Sequence, residues 1–259
     1  MSGAAERKFF SLVVLGFGSG KFLIPFVERL HELFLNCPFE WEIILVGNYS
    51  SPEPDETART VLELAARFDR VIPVVQPKQG MAGWDLRQGM ALAEGEYIGF
   101  IDGDGQNPVE SVFECLEKIH SENLDLVKTF RISREDGFFR SFVSSVYNAL
   151  FRILFKTHYR DINSNPKIIL RSKYEQMELK SSDWFFDAEI MLRAAELGLK
   201  VGEVPIRFRA LNGRNSFVNL GTIFEFMINL YKYRFGRDGG KYVSCDSIST
   251  KLKRGMSKN

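Results

Sequence analysis

Short apolar runs alternate with helix-length amphipathic segments through the first half of the chain, which confines it to folds built on a mostly parallel sheet. The runs are Leu12 to Leu15, Glu42 to Val46, Val71 to Val75, Tyr97 to Ile101 and Leu124 to Lys128, with segments of helix length between them at about 22–35, 56–68, 83–93 and 110–121. A strand that is apolar along its whole length must be covered on both faces, and crossover helices supply that cover. An α/β core of the nucleotide-binding kind is expected. Ligands of such sheets sit at the carboxyl ends of the strands, so the residues just after each strand are the ones to read for function.

The second half has a different texture. Phe139, Phe142, Val143, Val146, Tyr147, Leu150, Phe151 and Leu154 recur at helical spacing with arginines and serines between them. Asp187 to Leu197 reads as a helix stopped by Gly198, Lys200 to Val204 as a strand, and Leu220 to Arg234 as a last amphipathic helix. With no repeat and no linker, residues 1–235 read as a single domain and 236–259, which lack periodicity, as a flexible polar tail.

At 259 residues the chain can bury a core without metals or disulfides. Its 34 basic and 33 acidic side chains leave a formal charge of +1, which speaks against the broad basic face that nucleic-acid binding requires. No apolar stretch reaches membrane-span length, and Met1 to Lys8 lacks the layout of a secretory signal, so a cytoplasmic location is expected. Cys37, Cys115 and Cys245 are odd in number and far apart, as reduced thiols would be. Neither they nor His31, His120 and His158 have zinc-site spacing.

The sharpest local feature is the segment Asp102-Gly103-Asp104-Gly105-Gln106-Asn107-Pro108 after the strand Tyr97 to Ile101. Two carboxylates flanking one residue at a strand end suit a hard divalent cation that bridges phosphate oxygens. The same letters also describe a solvated Asp-Gly turn that caps a helix, with Pro108 in its first turn.

The stretch Gly89 to Pro108 resembles family 2 glycosyltransferases of the dolichyl-phosphate mannose synthase type, whose pattern is G-x-A-x-A-x-G-(D/E)-Y, an apolar strand, then D-x-D-x-Q-x-P. The resemblance continues in order through Leu126 to Arg131, Arg140 with Phe142 to Ser144, and Asp161-Ile162-Asn163-Ser164-Asn165-Pro166-Lys167, which is similar to a bacterial-type D-I-N-x-x-P-K loop. Phe186 to Glu189 and Gly202 to Ile206 follow, so roughly residues 10 to 235 are covered.

That resemblance implies a GT-A type α/β fold, a nucleoside-diphosphate sugar donor, Mg2+ or Mn2+, and inversion at the anomeric carbon. Carried over, Asp102, Asp104 and Gln106 would surround the metal and diphosphate. Arg131 and Arg140 would meet phosphate groups, since a guanidinium offers paired donors to a dianion. Asp187 and Glu189 would face the acceptor. If that is a phosphate no base is needed, whereas a sugar hydroxyl requires one of them to take the proton. An acidic first helical turn, favoured by the helix dipole, accounts for the same pair without chemistry. Gly16, Gly18, Asn48, Gly80, Asp161, Asn163, Lys167, Arg209, Arg214 and Ser216 complete the expected substrate-binding set. The acceptor is expected to be a polyprenyl phosphate or a glycan, met at the inner membrane face.

Two family motifs are replaced. Gly16-Phe17-Gly18-Ser19-Gly20 stands where P-x-Y-N-E is usual, and Gly47-Asn48-Tyr49-Ser50-Ser51 where D-D-x-S is usual, so acidic contacts to base and ribose are missing. Asn48 is left to hydrogen-bond the base or ribose. Arg209 to Phe217 resembles R-x-x-G-x-S-K with Phe217 in the lysine position, and Arg214 could supply the charge. A catalytically weakened nucleotide-sugar binding or partner subunit, and a nucleotidyltransferase, are the competing readings. The glycines fit neither a dinucleotide fingerprint, which would need glycine at Lys21, nor a P-loop, whose spacing is one residue longer.

Phenylalanine is over-represented, 23 of 259, although mean hydropathy is slightly negative. Part of it lies in two helices, with Phe139, Phe142 and Phe151 in one and Phe224 and Phe226 in the other. Such stripes are ordinarily core or dimer interface. The bordering Arg140, Arg152, Lys156, Lys232 and Arg234 also suit a membrane-surface helix.

Overall fold

A computed structural model describes residues 9–37, 39–134, 138–209 and 220–235. Among these residues seven strands form one sheet in the order β3-β2-β1-β4-β6-β5-β7. They are β1 (Phe9–Leu15), β2 (Glu40–Val46), β3 (Val71–Val74), β4 (Tyr97–Asp102), β5 (Leu126–Arg134), β6 (Lys167–Leu170) and β7 (Val201–Phe208). All pairings are parallel except those of β6, which runs against both β4 and β5. The mostly parallel α/β sheet expected from the alternating pattern is therefore present, and β6 and the short helix after it are additions to that reading.

The helices are α1 (Leu23–Phe34, after a 3-10 turn at Gly20–Phe22), α2 (Glu56–Arg67), α3 (Ala82–Met90), α4 (Glu110–Ser121), α5 (Phe138–Phe155), α6 (Arg171–Met177), α7 (Phe186–Glu196) and α8 (Leu220–Phe235). In α1, Leu23, Phe26, Val27, Leu30 and Phe34 recur at helical spacing and are the residues it buries. The Asp55 carboxylate opens α2 by accepting the Ala58 N–H at 2.9 Å.

The sheet separates two apolar cores. One gathers Phe26, Leu30 and Phe34 of α1 and Val112, Leu116 and Ile119 of α4 against Leu12, Ile43 and Ile101. The other gathers Leu86 and Met90 of α3, Tyr147 and Phe151 of α5, most of α7 and Leu230 of α8 against Val13, Phe100 and Ile169. A buried polar staple closes the base of the sheet: Ser11 donates to the Glu42 carboxylate at 2.6 Å and accepts the Gly95 N–H at 2.8 Å.

Candidate functional site

The carboxyl ends of β1, β2 and β4 finish level, because Leu15 is in register with both Val46 and Asp102. Gly16 N–H reaches Val46 O at 2.8 Å and Gly103 N–H reaches Leu15 O at 2.9 Å, which fixes the two loops side by side. Chain order reverses between β1 and β4, the point where open α/β sheets leave a crevice for a ligand. Gly18 turns the chain out of β1 at φ 65°, a left-handed conformation that favours glycine.

Asp102 ends β4, and Asp104 lies two residues beyond it, after Gly103. The Asp104 Oδ1 accepts the Gln106 N–H at 3.0 Å, so the turn is folded around that carboxylate. Burial first, then the nearby carboxylates of Asp104 and Asp187, push the Asp102 carboxyl up to about 7, while Asn165 and Lys167 pull the other way. Crowded negative charge of this kind fits a divalent cation, which would relieve the repulsion. Among the described residues no cluster of three or more His, Cys, Asp or Glu side chains is arranged to hold a metal. The protein's own share of the coordination would thus come from the Asp102 and Asp104 pair. Gln106 is turned elsewhere: buried, it donates its side-chain N–H to Arg209 O at 3.0 Å, and Arg209 N–H returns to Gln106 O at 3.0 Å. The pair ties the acidic turn to the end of β7.

The loop 161–166 forms the adjoining wall. Asn165 donates to Asp102 Oδ2 at 3.2 Å, and its carbonyl accepts Thr129 Oγ1 at 2.7 Å. Thr129 Oγ1 also lies 2.8 Å from Ser164 Oγ. Lys167 is fully buried at the start of β6, where its ammonium donates to Asp187, to Ser164 O at 3.1 Å and to Asn165 Oδ1 at 3.2 Å. It is therefore an internal brace between the loop and α7. Asp187 is raised above the ordinary carboxylate range by burial and held back by Lys167. Asn163 Oδ1 is buried with no hydrogen-bond partner among the described residues.

Arg131 and Asp161 occupy each other. The Arg131 backbone N–H and Nε reach Asp161 Oδ2 at 3.0 and 2.6 Å, and Nη2 reaches Oδ1. The guanidinium also lies 5.0 Å from the Phe208 ring centroid. Glu189 is likewise committed, because its two oxygens accept the backbone N–H groups of Lys180 and Ser181 at 2.9 and 2.8 Å. This gives Glu189 the job of clamping a loop, a different one from the acceptor-side role expected of it.

At the other side of the crevice, Asn48 is fully buried, donates to Asp85 Oδ1 at 2.9 Å and accepts the Gln76 N–H at 3.0 Å. Its amide is used inside the protein, contrary to the expectation of a free base or ribose contact. A carboxylate nonetheless stands here: Asp85 of α3 pairs with Lys78, whose ammonium sits 3.8 Å from the Phe17 ring centroid. Gly80 is a packing glycine, since a Cβ there would stand 2.5 Å from the Trp84 Cβ and 3.1 Å from Ser182 O. The Arg140 side chain, Arg214 and Ser216 lie outside the described residues.

Residues 11–183 match the family model described as glycosyl transferase family 2. This chain belongs to that family. Among curated family relatives, a dolichyl-phosphate beta-glucosyltransferase of Trichomonas vaginalis is 26% identical over 185 residues, 68% of this chain and 56% of that protein. A dodecaprenyl-phosphate galacturonate synthase of Rhizobium johnstonii is 25% identical over 227 residues, covering 87% of this chain and 66% of its own. The chain thus spans between about half and two thirds of the length of these two relatives. Glucosyl-3-phosphoglycerate synthase from Mycobacterium tuberculosis in complex with phosphoglyceric acid superposes with a TM-score of 0.69 at 16% identity, covering 88% of this chain and 80% of that one. The same enzyme with Mn2+, uridine diphosphate and phosphoglyceric acid gives 0.67 at 17%, with 88% and 78% covered. The fold of this family 2 chain is accordingly of the GT-A type.

Sequence reasoning passed over Asn165, Ser164, Lys128, Lys78 and Asp85. Asn165 and Ser164 fall on the unspecified letters of D-I-N-x-x-P-K. Asp85 reads as an ordinary acidic residue in a first helical turn, and nothing local to it reveals Lys78 or Asn48 as its partners.

Proposed function

We propose that this family 2 chain transfers a sugar from a nucleoside-diphosphate sugar to a polyprenyl phosphate or glycan, with a divalent cation and inversion at the anomeric carbon. The observation that carries this reading is the Asp102 and Asp104 pair at the sheet's switch point, where Asp102 is pushed up to about 7 by burial and by neighbouring carboxylates. The lipid-phosphate acceptor is supported by the activities for which the relatives are named, and the cation and uridine diphosphate by the Mycobacterium tuberculosis complexes. Residues 1–235 would form the transferase domain.

In this mechanism Asp102 and Asp104 are the residues that would hold Mg2+ or Mn2+. When bound, the ion would supply charge neutralisation for the departing nucleoside diphosphate. An acceptor phosphate oxygen, ionised at neutral pH, forms the new bond to the anomeric carbon from the face opposite the leaving group. The bond to the diphosphate oxygen breaks with its electron pair going to that oxygen, and one displacement inverts the centre. Asn165 orients the Asp102 carboxylate, and the buried Lys167 holds Asp187 and the loop together beside it. A hydroxyl acceptor would have to lose a proton, and in this reading Asp187, one of whose oxygens pairs with Lys167, would take it rather than Glu189, both of whose oxygens accept backbone N–H groups.

A nucleotide-binding partner subunit is the second reading, favoured by the inward-turned Asn48 and the absent acidic motifs of the first two loops. Calorimetric titration of nucleoside diphosphates with Mn2+ is expected to show binding that drops at least about tenfold in Asp104→Ala, as loss of a charged ligand group implies. Equal binding in that variant would remove the metal site. Turnover of labelled nucleotide sugars with polyprenyl phosphate separates the readings: tight donor binding without transfer or hydrolysis is the signature of a partner subunit.

A further inference from the structure

Helices α5 and α8 pack on each other through Phe155 and Tyr233, whose ring centroids are 6.1 Å apart, and both send residues into the same core. Their outward surfaces are unusual for solvent-facing helices. On α5, Val146 is 43% and Ile153 73% exposed, and their seven-residue separation puts them on one stripe. On α8, Tyr231 is 65% and Phe235 56% exposed, with ring centroids 5.0 Å apart.

The charged residues that α5 and α8 and the residue after α5 set beside these side chains in sequence are basic, although Glu196 of α7 accepts the Tyr233 hydroxyl at 2.9 Å. Arg152 and Lys156 border Ile153, while Lys232 and Arg234 flank the α8 aromatics, the Arg234 guanidinium lying 5.3 Å from the Phe235 ring centroid. The sequence of α5 contains no Asp or Glu, and that of α8 contains only Glu225. By contrast α4 mixes Glu110, Glu114 and Glu117 with Lys118, as an ordinary solvated helix does. No helix among the described residues is long and apolar enough to cross a membrane, so any membrane contact by these two would be along its surface.

We propose that the α5–α8 face docks on an anionic lipid surface. Ile153, Val146, Tyr231 and Phe235 enter the headgroup zone, and Arg152, Lys156, Lys232 and Arg234 meet lipid phosphates. Charge complementarity selects this occupant over a second copy of the chain. A two-fold interface through the same patch would set its four basic residues against themselves, with no carboxylate of either helix's described side chains to pair them. The proposal rests on the reading that the acceptor is lipid-linked, and it adds the surface by which the site is brought to that acceptor.

The test is co-sedimentation of the full chain with phosphatidylcholine vesicles, with and without phosphatidylglycerol, beside nucleoside-diphosphate titration and light scattering for mass. Binding is expected only to the phosphatidylglycerol vesicles. It should fall roughly tenfold or more in the triple variant Ile153→Glu, Tyr231→Glu, Phe235→Glu and in the quadruple variant Arg152→Gln, Lys156→Gln, Lys232→Gln, Arg234→Gln, each basic residue contributing near the surface. Both variants should keep wild-type nucleotide affinity, which shows that the fold survives. Wild type that ignores anionic vesicles, or a triple variant that binds like wild type, overturns the proposal. A wild-type dimer that ignores vesicles and becomes monomeric in the triple variant assigns the face to self-association. Vesicle binding without nucleotide binding or transfer leaves the docking face standing and removes the transferase reading, whereas the reverse result removes only the docking face.

Discussion

Lys128 and Lys167 stand opposite each other on β5 and β6, both out of contact with water. Lys128 donates to Thr129 O at 2.6 Å and Arg160 O at 2.5 Å, with Glu203 3.6 Å away. Burial above all, and then the charge of Lys167, lowers its ammonium to about 8. A base whose folded value lies below its ordinary 10.5 binds fewer protons folded than unfolded between those limits, so its contribution to stability rises with pH across that window. Urea unfolding at about pH 7.5 and 9.5 should show wild type gaining about 2 kcal/mol on Lys128→Met, the equivalent of one to two pKa units. No relative gain would show that the ammonium is not held against its solvation. Asp161 has the opposite sign. Although burial alone would raise it, the hydrogen bonds and charge of Arg131 hold it at about 2, so the stability it confers is present above its ordinary 3.8 and is lost as pH falls towards 2. Asp161→Asn should cost about 3 kcal/mol by stranding the buried guanidinium, and a paired Arg131→Met, Asp161→Leu variant should recover much of that. Equal losses in the single and paired variants would mean that the pair is not coupled.

Helix α7 illustrates how an element can carry an apparent active-site motif and use half of it for construction. Asp187 and Glu189 share its first turn, yet Asp187 faces Lys167 and Glu189 faces the 180–181 backbone. Glu189→Gln replaces one acceptor oxygen with an N–H donor opposite another N–H, and should destabilise the protein by about 2 kcal/mol. Donor turnover per folded molecule should stay near wild type, and a loss of turnover at full stability would return Glu189 to the chemistry. Most elements were legible from periodicity: the runs for β1 to β5 and β7 and the apolar stripes of α1 to α5, α7 and α8 fall where expected. Two were not. Strand β6 is four residues long and opens on a lysine, so it is a strand only because β4 and β5 offer hydrogen bonds on both sides. Helix α6, Arg-Ser-Lys-Tyr-Glu-Gln-Met, has one buried residue and too little amphipathic signal to be seen.

The two cores on opposite sides of the sheet allow damage to be assigned to one side. Phe151 is fully buried against Phe155, 5.1 Å between centroids, and anchors α5 in the core that α7 and α8 share. Phe151→Ala should cost about 4 kcal/mol and raise amide exchange first in α5 and α8, with β1 to β3 protected longer. Uniform loss of protection would indicate that the two sides do not open separately. Of the candidate site, the positions of Asp102 and Asp104 were readable because strand and motif are contiguous. The partners that decide what each group can do were not, since Asn165 meets Asp102 across 63 residues and Asp85 meets Asn48 across 37. The reversed direction of β6 has one more consequence. Alone among the described strands it enters the sheet at the ligand end, and its alternation puts Lys167 and Ile169 on the α7 side and Ile168 on the α1 and α4 side. A slip of one residue would drive an ammonium into the apolar cluster of α1 and α4 and leave Asp187 facing an isoleucine. The strand behaves as a parity lock: changes in the preceding loop are tolerable only if they leave the odd-numbered members of β6 on their present side.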